Sequence, residues 1–319
     1  YFLDNDLEFF IMQDALELIE SNLLSTPSLT TWAYFDARNL ESAMGRDVYP
    51  DGLPVLDFPV PSVYNADGTQ PTRKETRSQY WKWIHETNRM TIQQTLAQEA
   101  NGDDPQTIYD YLLVAMSDCV GQGAEEYMLI FSSHGAGVYG FGGDEDIDRR
   151  QRRLTQSNAN VVNAIQTALD TVDGAPAQLD VLGFDACLMM SLGALDDYAP
   201  VTKYFIASEA VEPGHGWSYS TLTTADSALG MAQEMYAKFL SDPQGDFHQG
   251  PKTLAIVDTA KFPAFVAAWE SLMASWGALH ATDAGFVTLL RRARSTSAAF
   301  IDIFDDFTSK IPSALDFGS

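Results

Sequence analysis

The chain has 319 residues, of which 45% are apolar and 20% charged, a composition typical of a globular protein and unlike that of disordered or fibrous chains. Its net charge of −25 argues against nucleic acid as a partner, because so acidic a surface repels phosphate. The same charge suits a cationic substrate, or simply keeps a protein soluble in an exported or salty setting. No continuous stretch of about 20 apolar residues is present, so we predict no membrane-spanning segment.

Short apolar segments alternate with amphipathic ones along most of the chain. Helical periodicity is clearest over 6–24, 105–117 and 156–171. Segments rich in β-branched and aromatic residues predict strands at 31–37, 126–133, 179–184, 203–208 and 253–258. This alternation predicts an α/β fold with a mostly parallel central sheet and helices on both faces.

Two further regions complete the predicted organisation. The proline-rich stretch 47–79 is typical of an irregular surface excursion. From about residue 222 helices dominate, apart from the strand at 253–258. We therefore predict one domain over 1–259 and a helical C-terminal region, 260–319, packed on it. The sequence opens in an apolar stretch at Tyr1 with no visible export signal, and we expect it to begin inside a longer protein that is secreted or held in the cell envelope.

Two predicted strands end in residues that carry chemistry. Strand 126–133 runs into His134, which Gly135 follows, and strand 179–184 runs into Asp185 and Cys187. The carboxyl ends of neighbouring parallel strands meet at one edge of a sheet, where ligands bind. A histidine there can take the proton of a cysteine, which reacts as its thiolate. The apolar run after Cys187 predicts a helix, whose N-terminus would favour the thiolate.

A structural interpretation competes with each of these assignments. A cysteine near a strand end is often a small buried apolar residue, and a His-Gly pair is often a turn. The residues alone leave the two interpretations of His134 and Cys187 evenly balanced. The other cysteine, Cys119, lies near the end of an amphipathic helix, where a role in the core explains it better.

The motifs at these strand ends resemble those of the clostripain family, cysteine peptidases that share a caspase-like fold. The resemblance rests first on Ser-His-Gly-Ala-Gly at 133–137 and on Leu-Gly-Phe-Asp-Ala-Cys-Leu-Met at 182–189. Further segments resemble the family at 4–8, 207–209, 212–219, 253–258 and 300–307. Residues 40–100 carry no such match. Two positions depart from the family pattern: Val138 stands where the family usually has Trp, and Gly193 where it tends to have Glu.

The resemblance implies an endopeptidase that forms an acyl-enzyme. Cys187 would attack the scissile carbonyl and His134 would act as general base, while the N–H groups of Gly135 and Cys187 would stabilise the oxyanion. No cofactor would be required. Two other functions stay open: transfer or ligation of the acyl group to an amine, and a non-catalytic caspase-like module used for binding.

The resemblance also implies a preference for protein or peptide substrates with Arg or Lys before the cut. Asp185 would bind that cation in a charge-assisted pair, and Glu209 could line the same pocket. The alternative for Asp185 is that it caps the following helix. Self-cleavage would fall in the loop after His134, in the cluster Arg149, Arg150, Arg152 and Arg153. Calcium is possible, with Asp144, Asp146 and Asp148 as weak ligand candidates because their spacing matches no EF-hand loop.

Overall fold

The computed structural model describes residues 1, 8–23, 29–36, 63–70, 78–97, 100–143, 156–222, 226–241, 252–289 and 291–292. The chain divides into two compact units, one ending at Phe262 and the other beginning at Pro263. The helices are α1 (Glu8–Leu23), α2 (Pro105–Gly121), α3 (Asn158–Thr171), α4 (Leu192–Tyr198), α5 (Ala228–Ser241) and α6 (Phe262–Thr282). The strands are β1 (Trp32–Phe35), β2 (Val63–Asn65), β3 (Gln79–Ile84), β4 (Arg89–Thr95), β5 (Met128–Ser132), β6 (Leu179–Asp185), β7 (Thr202–Ala207) and β8 (Ala255–Asp258).

The sheet that carries the conspicuous motifs has the order β5-β6-β7-β8. Strands β5, β6 and β7 are parallel, and β8 pairs antiparallel with β7. The backbone of Tyr1 extends the sheet beyond β5, since its nitrogen donates to the carbonyl of Ile130 and its carbonyl accepts from the N–H of Ser132, each at 2.9 Å. All five predicted strands are confirmed to within a few residues, as are the helices predicted over 6–24, 105–117 and 156–171. The predicted mostly parallel sheet is also confirmed.

Both faces of this sheet are buried, which explains why its strands are almost wholly apolar. On one face Val181 and Ile206 join a core formed with residues of α1 and α5, including Ile11 and Met235. On the other face Phe184 stacks on Phe131 and contacts Tyr198 of α4. Alternation along β6 therefore sends Val181, Gly183 and Asp185 to the α1 side and Leu182 and Phe184 to the α4 side.

The second sheet, of order β1-β3-β4-β2, corrects one expectation. Part of the stretch predicted as an irregular surface excursion is core structure: Val63 is fully buried, and β2 pairs in parallel with β4. The hairpin of β3 and β4 was not predicted, although Trp81 and Trp83 bury their rings there. Its turn includes Asn88 with φ of 52°, a conformation that Asn tolerates better than most residues.

After residue 222 we predict helices and one strand, and the described residues there form α5, β8 and α6. The packing of 260–319 on the rest of the chain stays a prediction. Within the described part of the chain, the helices are too short or too polar to span a lipid bilayer.

Candidate active site

The register of β5 against β6 places His134 and Cys187 at the same edge of the sheet. Ser132 lies opposite Asp185, and the N–H of Ser133 donates to the carbonyl of Asp185 at 3.3 Å. His134 and Cys187 each follow this pair by two residues. Both residues therefore lie just beyond the carboxyl ends of two adjacent parallel strands. The pairing of His134 with Cys187 stays a prediction.

The loop after His134 is a compact, hydrogen-bonded turn. The N–H of Gly142 donates to the carbonyl of His134 at 3.0 Å, and Gly135 forms an antiparallel bridge with Phe141. Asn158 on α3 donates to the carbonyl of Gly137 at 3.0 Å. Asn158 is buried and accepts a hydrogen bond from the hydroxyl of Tyr198. Neither its residue type nor its position in the sequence indicated this role. The turn after His134 is thus bonded to α3 at Gly137 and, through Asn158, linked to Tyr198 of α4.

The chain after Cys187 does not form the predicted helix. Leu188 has φ of 67°, and its N–H donates to the carbonyl of Ala210 at 3.0 Å. Met190 N–H donates to the carbonyl of Ser208 at 2.8 Å, so this segment pairs with the chain that follows β7. Helix α4 begins at Leu192 with Ser191 as its N-cap. Helix α4 therefore does not begin at Cys187, and the expectation of a helix N-terminus at the cysteine was wrong.

Gly135 lies against the backbone of the cysteine loop. A β-carbon at position 135 would collide with the carbonyl oxygen of Cys187 and would stand 2.8 Å from Cγ of Met189. Only glycine fits so close an approach. Within the described part of the chain the N–H of Gly135 makes no hydrogen bond, which leaves it available to an oxyanion.

The thiol of Cys187 lies in a mostly buried, acidic environment. Burial raises the pKa of the Cys187 thiol above its ordinary value, and the negative charge of Asp185 raises it further. A hydrogen bond from the N–H of Glu212 to Sγ, 3.3 Å long, acts in the opposite direction. Cys119 is half-buried on α2, and this partial burial raises the pKa of its thiol to about 11.

Asp185 is buried directly beside the nucleophile candidate and is 5% exposed. Its Oδ2 accepts hydrogen bonds from the N–H of Trp217 at 3.0 Å and from the hydroxyl of Tyr219 at 2.8 Å. Gly216, with φ of 58°, makes room for the carboxylate, since a β-carbon there would stand 2.8 Å from Oδ2. Burial raises the pKa of Asp185 above its ordinary value, against the effect of these donors. The alternative role as a helix cap is wrong, because Ser191 caps α4.

Glu212 was not identified from the sequence, although its N–H contacts the sulfur of Cys187. Glu209 is exposed, and within the described residues its side chain makes no hydrogen bond or ion pair. The carboxyl of Glu212 is buried, and its Oε1 accepts a hydrogen bond from Nε1 of Trp217 at 2.9 Å. Burial and the charge of Asp185 raise its pKa well above the ordinary value. The one signal was its place in the family-like segment 212–219.

Several predicted residues lie outside the described part of the chain. These are the calcium candidates Asp144, Asp146 and Asp148 and the processing cluster Arg149, Arg150, Arg152 and Arg153. Among the residues that the structure does describe, no three His, Cys, Asp or Glu side chains are grouped to hold a metal ion. Calcium binding stays a prediction.

The fold and the paired strand ends define a cysteine peptidase of caspase-like fold. The sequence profile of the clostripain family, peptidase family C11, matches residues 1–308. The chain belongs to this family. A search of curated proteins found no match to the chain.

Solved structures of C11 proteases share the fold. A secreted C11 cysteine protease from Bacteroides thetaiotaomicron, in complex with an irreversible peptide inhibitor, is 17% identical with a TM-score of 0.58, over 84% of this chain and 67% of that one. An inactive zymogen C11 protease from Parabacteroides distasonis is 16% identical with a TM-score of 0.54, over 84% of this chain and 62% of that one. The chain thus spans about two thirds of the length of these structures.

Proposed function

We propose that the chain hydrolyses peptide bonds with Cys187 as nucleophile and His134 as general base. The observation that supports the proposal is the β5–β6 register: His134 and Cys187 each follow the paired residues Ser132 and Asp185 by two positions, at one edge of the sheet. His134 takes the thiol proton as Sγ attacks the scissile carbonyl, and then gives that proton to the leaving amine. Water hydrolyses the resulting acyl-enzyme. This chemistry needs no cofactor.

The oxyanion of the tetrahedral intermediate would bind the N–H groups of Gly135 and Cys187. Two features support this assignment: the N–H of Gly135 has no hydrogen-bond acceptor in the described part of the chain, and Gly135 lies against the carbonyl of Cys187. Donors fixed in place before the reaction need no reorganisation when the negative charge develops, and removing one typically costs about 3 kcal/mol in transition-state stabilisation.

The substrate cation, Arg or Lys before the cut, would bind at Asp185. The surroundings of Cys187 are acidic, since Glu212 and Asp14 of α1 both interact with Asp185, and Glu17 of α1 lies near Asp14. Within the described residues neither Asp185 nor Glu212 forms an ion pair. Burying a carboxylate without a counter-cation is unfavourable, and a guanidinium or ammonium group supplies one. Glu209 is exposed and stays a peripheral candidate.

Cleavage of matched peptides tests the proposal. Fluorogenic peptides ending in Arg, Lys, Asp or Ala would be assayed with the wild type, with Cys187→Ala and with His134→Ala. We expect turnover after Arg and Lys, lost in both variants, whereas Cys119→Ala as the matched cysteine control retains it. Turnover after Ala or Asp would support the assignment as a peptidase but contradict a cation-binding role for Asp185. Absence of turnover with every peptide would favour a binding module, and amide formation with an added amine would indicate acyl transfer.

Self-cleavage in the loop after His134 is part of the proposal. The described residues on either side of 144–155 lie close together, because the N–H of Phe141 donates to the carbonyl of Gln156 at 3.2 Å. That bridge lies beside the turn of His134. The C11 relative from Parabacteroides distasonis is described as an inactive zymogen, which is consistent with maturation in this family. The relative from Bacteroides thetaiotaomicron is described as secreted, and we propose the same location here.

A further inference from the structure

Glu212 connects the acidic pocket to the nucleophile through two different parts of the residue. Its backbone N–H donates to Sγ of Cys187 at 3.3 Å, and its carboxyl accepts from Nε1 of Trp217 at 2.9 Å. The residue is only 7% exposed. The reaction proposed above assigns it no task, since His134 and Cys187 perform the chemistry and Asp185 binds the cation.

The buried carboxyl of Glu212 favours its protonated form. Burial and the neighbouring charge of Asp185 both disfavour ionisation and raise the pKa of Glu212 well above its ordinary value. Oε2 of Glu212 is buried and has no donor from another group in the described structure, so a proton on this carboxyl satisfies it. Asp185 already accepts from Trp217 and Tyr219, which favours its charged form. Glu212 is therefore the member of the pair that holds the proton.

The groups around this pair make a second negative charge unfavourable. Helix α1 contributes Asp14 and Glu17, and the end of β6 contributes Asp185 and Cys187. The loop after β7 contributes Tyr219, whose hydroxyl binds Asp185, and the basic His215. The amino group of Tyr1 is a second basic neighbour of Asp185. Because the groups that act on Glu212 itself are Asp185 and Cys187, a neutral Glu212 leaves one carboxylate charge rather than two beside the thiol.

The thiolate needs a hydrogen-bond donor that the helix predicted after Cys187 does not supply. Helix α4 begins five residues beyond the cysteine, so its free N–H groups lie elsewhere. Within the described residues, the N–H of Glu212 is the donor that another residue directs at Sγ. A hydrogen bond to an ionised acceptor is stronger than one to the neutral group, so this donor favours the thiolate.

We propose that Glu212 is a positioning residue for the nucleophile: its buried carboxyl, held by Trp217, fixes the peptide N–H that binds the sulfur of Cys187. This inference rests on the proposed cysteine mechanism and deepens it. It links the residue that would hold the substrate cation to the residue that would attack the carbonyl, because the N–H of Trp217 also donates to Asp185.

Alkylation of Cys187 by iodoacetamide tests the proposal, since it reports the reactivity of the sulfur without requiring a substrate. The rate would be followed from pH 5 to 10 on the whole chain, with peptide mass spectrometry to separate Cys187 from Cys119. We expect Glu212→Ala to lower the rate at pH 7 about tenfold and to shift the pH profile upward, the effect of losing one charge-assisted hydrogen bond. Glu212→Gln, which is neutral and keeps an acceptor for Nε1 of Trp217, restores most of the rate. Glu125→Ala and Glu125→Gln, at the exposed opposite end of β5, are the matched controls.

Two results would overturn the proposal. Faster alkylation in Glu212→Gln than in the wild type would mean that Glu212 carries a charge and not a proton. Equal rates in Glu212→Ala, the wild type and the Glu125 variants would mean that Glu212 does not position the sulfur. If Glu212→Ala does not fold, Trp217→Phe provides the same test, because it removes the hydrogen bond to Oε1 of Glu212. We expect slower alkylation of Cys187 in this variant, and an unchanged rate would count against the proposal. Peptide cleavage by the wild type is scored separately, so failure of this inference is distinct from failure of the proposed function.

Discussion

Val138 packs directly over Gly193, so that Cγ1 of Val138 occupies the space a β-carbon on Gly193 would need. Gly193 is the second residue of α4, and Val138 lies in the turn that follows His134. These are the two positions at which the sequence departs from the clostripain pattern. The departures are therefore one feature: a small residue on the helix accommodates an aliphatic side chain on the histidine turn.

The first prediction concerns this contact. Gly193→Ala places a methyl group against Val138, and overpacking of this kind costs about 1 to 3 kcal/mol, more than the roughly 1 kcal/mol that alanine gains over glycine in a helix. We expect the substitution to lower the free energy of unfolding in the wild type. In the Val138→Ala background the collision is gone, and the same substitution becomes stabilising. Urea denaturation of the four chains measures both effects, and an identical effect in the two backgrounds would contradict the contact.

The second prediction separates two roles of Asp185. Asp185→Asn keeps an acceptor for Trp217 and Tyr219 but removes the negative charge. We expect kcat/KM for Arg substrates to fall about tenfold to hundredfold, the value of a hydrogen bond to a charged group. Alkylation of Cys187 at neutral pH should instead become faster, because the Asp185 charge raises the pKa of the thiol.

Asp180→Asn is the matched control for this prediction. Asp180 lies near the start of β6, at the opposite end of the strand, where it pairs with Lys203 at 2.7 Å. It should leave both peptide cleavage and alkylation unchanged. If Asp185→Asn slows both reactions together, the carboxylate acts through the local structure and not through its charge.

The third prediction concerns the pH dependence of stability. Asp14 is buried on α1, and its Oδ1 has no donor among the described residues. Burial, followed by the charges of Asp185 and Glu17, raises the pKa of Asp14 well above its ordinary value. A carboxyl whose pKa is higher in the folded than in the unfolded state contributes stability below the unfolded pKa and loses it as pH rises through the folded pKa.

Asp14→Asn should therefore stabilise the protein at pH 8 and have little effect at pH 4. The expected gain at pH 8 exceeds about 1 kcal/mol, since a shift of one pKa unit is worth about 1.4 kcal/mol. Urea denaturation at pH 4, 6 and 8 measures it, with Glu20→Gln on the exposed side of α1 as control. Equal destabilisation at all three values would show that Asp14 matters for its packing and not for its ionisation.

Most of the α/β layout could be predicted because buried parallel strands have a simple sequence pattern. Strands β5, β6 and β7 are short apolar segments, and their burial on both faces leaves little ambiguity. Strand β4 was not predicted because most of its residues are polar and its apolar residues are too few to mark a strand. It is a strand because it pairs with β3. Pairing between distant segments cannot be read from local pattern.

The candidate site shows the same limit. His134, Cys187 and Asp185 stand at strand ends, where the topology alone brings them together. The helix predicted after Cys187 is absent because hydrogen bonds from Leu188 and Met190 to the chain after β7 prevail over the helical pattern. That same pairing brings Glu212, distant in sequence, to the sulfur. No local pattern contains a contact that depends on two loops folding onto each other.

The last prediction is self-cleavage within residues 149–153. If the protein cleaves after arginine, the wild type should divide there into two chains, while Cys187→Ala and a variant with all four arginines changed to glutamine should remain single. Intact-mass spectrometry identifies the cut. The pieces should stay associated on gel filtration, because β5 and β6, which lie on either side of the cut, are adjacent in one sheet, and Phe141 bonds to Gln156 across it. Arg291→Gln with Arg292→Gln is the matched control and should leave cleavage unchanged. Division of Cys187→Ala in the absence of wild type would assign the cut to another protease, and an undivided, active wild type would show that maturation does not require it.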